Sequence, residues 1–219
     1  FLVDGEIVSE SPDYTWENIQ ADGIITAVFT SVTWYVDDDR PDDSGDGSSW
    51  TSAKKSIHAA IDEAEEGDLI LVNDGTYAPI RTANKAITIR SENGPLTTII
   101  DGAGVMRCAT LGILSSDRDT VLDGFTIQNG FSSLDDVEDF SRGSDWNHVP
   151  EEPLYNCGGG VYGGTVSNCI LTKNTSDDDG GGAYGSTLNH CVLIENDGYW
   201  GGGAASCTLN NCVLAANTV

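Results

Sequence analysis

GGGVYGGTVSNCILTKN (158–174), GGGAYGSTLNHCVLIEN (180–196) and GGGAASCTLNNCVLAAN (201–217) are one unit written three times. Cys169, Cys191 and Cys212 fall 22 and 21 residues apart, and Asn174, Asn196 and Asn217 keep the same steps, as do Gly160, Gly182 and Gly203. A fixed period near twenty, with apolar, Gly and Asn positions in phase, marks a solenoid in which each repeat buries its face on the next.

Stacked, the units form columns rising about 4.8 Å per step. Leu122, Val166, Leu188 and Leu209 make one apolar column; Phe125, Cys169, Cys191 and Cys212 a second; Ile127, Leu171, Leu193 and Leu214 a third. The second and third are two residues apart, so both face inward on one strand, and the residue between them (Thr126, Ile170, Val192 or Val213) faces out. The first lies three residues earlier, which calls for a two-residue bend at Asp123-Gly124, Ser167-Asn168, Asn189-His190 and Asn210-Asn211, nearly all turn formers. His190 reads as a turn residue standing where Asn otherwise does. The Asn column predicts a ladder of amides bonded rung to rung, and Tyr162 and Tyr184 are in phase to stack.

Six cysteines invite a disulfide framework. The in-phase three lack a close C-x-x-C pair for metal and suit small buried side chains. Reduced core thiols are expected, with rung-to-rung bonding as the rival. Cys207 takes the slot of Gly164 and Ser186. Cys108 and Cys157 fall outside the phase, and Cys157 is the better disulfide candidate.

Outward from the repeats, residues 68–128 also read as short apolar runs bounded by Gly, Asn or Asp: DLILVNDGTY, KAITIRS, TTIIDG, MRCATLG and TVLDGFTIQNG. Residues 131–157 break the period and are expected to leave the coil as a long acidic loop. Residues 52–66 predict a helix, with Ile57, Ala60, Ile61 and Ala64 on one face. Ser or Thr near 51–52 would start it, and Gly67 suits its end. Lys54 and Lys55 would then open the helix and Glu65 and Glu66 close it, against its dipole. Residues 34–50 form an acidic loop in which Asp42, Ser44 and Asp46 have the D-x-S-x-D-G spacing of half a calcium loop. Ala53 stands where such a loop carries Glu, and a solvated acidic turn accounts for the same residues. Residues 1–33 carry two strand-like runs, Tyr14–Ile19 and Ile24–Phe29, either side of a Gln-Ala-Asp-Gly turn signal.

The net charge is −25, with ten Lys and Arg. That opposes nucleic acid and anionic membrane surfaces as partners and fits an extracellular or salty setting, where a highly charged surface stays soluble and can collect divalent cations. No run of about eighteen apolar residues is present, so no membrane insertion is expected.

The order Tyr35-Val36-Asp37, Asp42-Asp43-Ser44-Gly45-Asp46-Gly47, Ser49-Trp50, short helix, Gly67-Asp68-Leu69-Ile70-Leu71-Val72 and Asp74-Gly75-Thr76-Tyr77 resembles right-handed parallel β-helix proteins of the pectate-lyase-like superfamily. The closing repeats are similar to those of bacterial surface proteins in that superfamily. The resemblance implies an all-β right-handed solenoid over residues 68–219, with a capping helix within 34–67. Val3-Asp4-Gly5, Tyr14-Thr15-Trp16, Asn18-Ile19 and Ala21–Phe29 resemble the second half of a divergent internalin-type B-repeat, which implies a short β extension. The superfamily mixes polysaccharide lyases and hydrolases with adhesins and structural solenoids. Its lyases use calcium-holding carboxylates and an Arg or Lys base. Here the outward slot before the ladder Asn holds Asn129, Lys173, Glu195 and Ala216, at most one exposed ion pair. Arg90, Arg107, Arg118 and Arg142 are candidate anion binders with nothing to gather them. The expectation is therefore a structural or adhesive segment of a secreted or surface protein, whose partners are further repeats of a parent chain or copies of itself. It would dock through the last rung, where Leu209, Cys212 and Leu214 have no cover. The rivals are a lyase or hydrolase acting on extracellular polysaccharide, and a calcium-dependent carbohydrate-binding module.

Overall fold

The computed structural model describes residues 31–112, 119–132 and 156–219, together with the strands Leu2–Val3, Glu6–Ile7 and Ile25–Thr26. Two compact units divide at Ser31/Val32, two residues before the boundary expected from sequence. In the first unit the three strands form an antiparallel sheet with Leu2–Val3 in the middle. The run Tyr14–Ile19 lies outside the described residues.

The second unit is a parallel β-helix. Its first sheet has seven strands in chain order: Thr33–Val36, Leu69–Val72, Thr88–Ser91, Val121–Asp123, Thr165–Ser167, Thr187–Asn189 and Thr208–Asn210. The second has six: Gly75–Tyr77, Thr98–Asp101, Thr126–Gln128, Ile170–Thr172, Val192–Ile194 and Val213–Ala215. The third has five: Ile80–Arg81, Ala109–Thr110, Val161–Tyr162, Ala183–Tyr184 and Ala204–Ala205. A short corner sheet joins Phe131–Ser132, Thr175–Asp179 and Asp197–Trp200. Every pairing among these sheets is parallel and joins one turn of the coil to the next, the arrangement that buries both strand ends and side chains without hairpins.

The columns form as the repeat implies. Leu122 pairs with Val166, Val166 with Leu188 and Leu188 with Leu209, while Ile127, Leu171, Leu193 and Leu214 run beside them. The register extends the first column back to Ile89 and Ile70 and the third back to Ile100 and Tyr77. Leu122, Ile127, Val166, Leu171, Leu188 and Leu193 are fully buried, each contributing about 1.5–3 kcal/mol by removal from water. Two residues separate the strands of the first two sheets, one place later than the spacing suggests: Gly124-Phe125, Asn168-Cys169, His190-Cys191 and Asn211-Cys212. Asp123, Ser167, Asn189 and Asn210 end their strands; Gly124, Asn168, His190 and Asn211 alone sit in the left-handed region, His190 at φ +55. Asn and Gly enter that region at least cost, which is why the column reads as turn formers.

The ladder forms too. Asn174 Nδ2 donates to Ile127 O and to Asn196 Oδ1, both at 2.9 Å, and Asn196 Nδ2 donates to Leu171 O at 2.9 Å and Asn217 Oδ1 at 3.0 Å. Asn174 N and Asn196 N also donate up the ladder. The Gly column leaves room for these amides and for the neighbouring backbone: a Cβ on Gly182 would meet Gly203 O at 2.3 Å and Asn196 Cγ at 3.1 Å. Tyr162 and Tyr184 stack with centroids 5.8 Å apart.

All six cysteines are free thiols, so Cys157 carries no disulfide. Burial pushes Cys191 up to about 11 and Cys108 up to about 12, and raises Cys169 and Cys157 as well. Cys108 is also in phase after all: Ala109 pairs with Val161, which sets Cys108 in the column of Gly160.

Helix α1 is shorter than the sequence suggests, Ile57–Glu63, with Ser56 Oγ accepting from Ala59 N at its start. Lys54 is excluded because its backbone joins the first rung: its N–H donates to Tyr35 O, and Asp37 N donates to Lys54 O. The basic half of the reversed charge pattern therefore disappears, while Asp62 and Glu63 still end the helix. Lys85 instead brings its ammonium to the helix end, donating to Ile61 O at 2.6 Å and Ala64 O at 2.9 Å, the sign that suits a helix C-terminus. Ile57, Ala60 and Ile61 bury against Val36 and Ile70 and cover the first turn of the coil. Asp68 pins that cover, accepting from Val32 N, Trp34 Nε1 and Glu65 N. Burial pushes its carboxyl up, but these three donors outweigh it and hold it below the usual range.

Candidate functional site

The calcium-like spacing folds into two separate turns. Asp42 Oδ1 accepts from Ser44 N at 2.9 Å, and Ser44 holds the Asp42 carboxyl below its usual range. Asp46 Oδ1 accepts from Ser48 N, Ser48 Oγ and Ser52 Oγ at 2.9, 2.7 and 2.6 Å, and these donors, Ser52 first, hold it at about 2. Ser44 thus belongs to the Asp42 turn, and Asp46 closes its own. The acid between them is structural: Asp43 accepts from Lys55 N, Ser56 N and Ser56 Oγ and so fixes the approach to helix α1.

Three other acids of this loop converge. Asp37, Asp38 and Asp39 each bring a carboxylate oxygen within 4.8 Å of the others'. Asp38 Oδ2 accepts from Thr76 N at 3.1 Å, and Asp38 N donates to Tyr77 OH. Burial, then the Asp38 charge, raises the Tyr77 phenol above its ordinary range.

On the coil's flanks, the candidate cations do not gather. Arg90 lies on the outer face of the first sheet, in register with Asp123. Arg107 turns to the chain itself, donating to Cys157 O and Gly158 O with its guanidinium 5.2 Å from the Tyr162 ring centre. Arg118 and Arg142 lie outside the described residues. Lys173 and Glu195 occupy left-handed positions, φ +55 and +56, and form no ion pair with each other. Among the described residues the ion pair is Lys54–Glu63, at 3.5 Å. Asp101 is enclosed by Gln128 Nε2, Asn129 Nδ2 and Ala103 N; burial raises its carboxyl, and these donors bring it below the usual range.

The corner sheet holds a feature that sequence reasoning missed. Tyr199 and Trp200 are 68% and 63% exposed and meet edge to face, centroids 5.3 Å apart. The strand beside them is Thr175–Asp179, whose register slips between Ser176 and Asp179. Asp177 and Asp178 therefore both fall opposite Tyr199. Residues 131–132 and 156–157, expected in the protruding loop, belong to this corner: Phe131–Ser132 pairs with Thr175–Ser176, and Asn156 O accepts from Ser176 Oγ. Residues 133–155 lie outside the described residues.

No protein-family model matches the chain, and no curated protein matches it. Solved structures do. A pectin methylesterase in complex with a hexasaccharide matches with a TM-score of 0.50 at 16% identity, over 86% of this chain and 56% of that one. Pectin methylesterase PemA from Erwinia chrysanthemi gives 0.49 at 18% identity over the same shares, and pectate lyase Pel9A gives 0.44 at 15% over 84% and 48%. The fold is the pectate-lyase-like right-handed parallel β-helix. At these identities the likeness concerns the fold alone. The chain spans about half the length of these structures.

Proposed function

We propose that the chain is a structural or adhesive β-helix segment of a large secreted or surface-attached bacterial protein, whose partners are turns of the same repeat chemistry. One observation carries this reading. The columns, the amide ladder and the strand edges stay in register through all three repeats, with Leu188 and Leu193 fully buried beneath Leu209 and Leu214 in the same columns, so each turn is a matched surface for a turn of the same repeat chemistry. The resemblance of residues 1–30 to half of an internalin-type B-repeat supports a cell-surface setting.

Analytical ultracentrifugation over a wide concentration range tests it. The chain should associate, and Leu209→Glu with Leu214→Glu should abolish association while leaving the fold intact. A chain that stays monomeric throughout, or cleavage of acidic polysaccharides in the presence of calcium, would replace this reading with the polysaccharide-acting alternative. A rise in melting temperature that needs calcium and a glycan together would favour a calcium-dependent carbohydrate-binding module.

A further inference from the structure

Tyr199 and Trp200 stand apart from the other described aromatic rings, all of which are partly or fully buried. The coil fixes where they stand. Asp197 pairs with Thr175, Gly198 with Ser176 and Trp200 with Asp179, and Gly180 N donates to Trp200 O at 2.8 Å. The slipped register leaves one residue, Tyr199, facing two, Asp177 and Asp178. Asp177 and Asp197 are exposed. Asp197 Oδ1 accepts from Thr218 Oγ1 at 2.5 Å, and among the described residues no ion pair neutralises any of these acids.

An aromatic face carries negative quadrupolar charge and attracts cations, Trp most of all. The neighbouring carboxylates add formal charge of the same sign, within a chain of net charge −25. All three contributions repel an anion and attract a cation. The two rings lie at 87°, so they offer a corner rather than a flat platform. A guanidinium or ammonium fits such a corner, over one ring with its charge toward the acids.

We propose that Tyr199, Trp200 and the Asp177–Asp178 bulge form a docking ledge for a basic peptide segment, with an Arg or Lys side chain seated over the aromatic corner. The ledge is independent of the end-rung reading, because its variants leave Leu209 and Leu214 untouched.

The test is fluorescence anisotropy with a labelled peptide of four arginines spaced by glycine, at low and at physiological salt. The chain should bind it, more weakly as salt rises. Tyr199→Ser with Trp200→Ser, which leaves net charge unchanged, should weaken binding about five- to tenfold. Trp200→Leu, which keeps apolar bulk but removes the π face, should lose most of the Trp200 share and guards against misfolding of the double variant. Asp177→Asn with Asp178→Asn should flatten the salt dependence, and Leu96→Ser, at a remote exposed position, should change nothing. Equal binding by the chain and the aromatic variants would reduce the effect to long-range charge and overturn the ledge. So would preferential binding of a neutral oligosaccharide that Trp200→Leu abolishes.

Discussion

Cys108 stands at the foot of the asparagine ladder: its Sγ lies 3.1 Å from Gln128 O and 3.7 Å from Asn174 Oδ1, and Asn174 Oδ1 accepts from Gly130 N at 2.8 Å, as Asn196 Oδ1 accepts from Asn174 N. Gly130 occupies the ladder position on this rung. A Cβ there would lie 2.8 Å from Cys108 Sγ and 2.1 Å from Gly159 O. The side chain has moved across the coil, from the ladder position to the column that is Gly elsewhere.

Cys108→Ala therefore removes a fully buried side chain and one donor. It should lower unfolding free energy by about 1–2 kcal/mol, read from chemical denaturation. Cys108→Ser, which keeps a donor, should cost less. Gly130→Ala should cost more than either, because its clash is with backbone.

Asn196→Ala strips Asn174 N, Asn174 Nδ2 and Leu171 O of a partner inside the coil. Leaving such groups unsatisfied should cost about 2–4 kcal/mol. Differential scanning calorimetry should show a melting temperature lower by at least about 5 °C.

The buried thiols make the fold sensitive to alkali. Cys191 and Cys108 sit near 11 and 12 against 9.0 for a free thiol. A raised thiol pKa favours the protonated form in the folded chain. The stability it represents is complete below pH 9 and declines as pH climbs toward 11 and 12. Denaturation midpoints measured between pH 8 and 11.5 should fall accordingly. In alkylation at pH 8, Cys207 and Cys212, which are partly exposed, should react before Cys108 and Cys169.

The acidic loop should respond to acid. Asp46 is held at about 2 against an ordinary 3.8 by Ser52 and Ser48. A depressed carboxyl favours the ionised form in the fold, so its contribution is whole above pH 4 and is lost as pH falls toward 2. Carboxyl chemical shifts followed from pH 5 to 1.5 should place the Asp46 midpoint at the low end, and Asp46→Asn should erase that step.

Lys85→Met keeps the aliphatic stem but removes the ammonium from the Ile61 and Ala64 carbonyls. It should destabilise by about 1 kcal/mol, seen as faster amide exchange in Ile57–Glu63.

Much of this architecture is legible in the chain because its period is short and its columns are chemically distinct. The apolar columns, the ladder and the Tyr162–Tyr184 stack follow from phase alone. Phase failed where the repeat is degenerate. Arg107-Cys108-Ala109-Thr110 aligns with Gly159-Gly160-Val161-Tyr162, but shares no residue with it. Helical spacing overran its true start because it does not register that Lys54 bonds to a strand. The D-x-S-x-D-G spacing records alternating oxygens, but not that Ser44, Ser48 and Ser52 would engage them. The pairing of Tyr199 with two acids depends on a slipped register, which no single rung displays.

The steps of 22 and 21 residues leave the three long sheets in perfect phase, so the odd residue has to be absorbed somewhere. It is absorbed between Thr175 and Trp200, where Asp177 and Asp178 face Tyr199. Phe131–Ser132 and Asn156 also meet Thr175–Ser176 at this corner. Within the three repeats this corner takes up the change in length while the others keep a constant circumference; in the earlier turns Ser91 and Thr98 are joined by six residues where Ser167 and Ile170 are joined by two. An engineer wishing to display a foreign peptide, or evolution wishing to vary a recognition surface, has a graft site there, beside the three long sheets that keep their register.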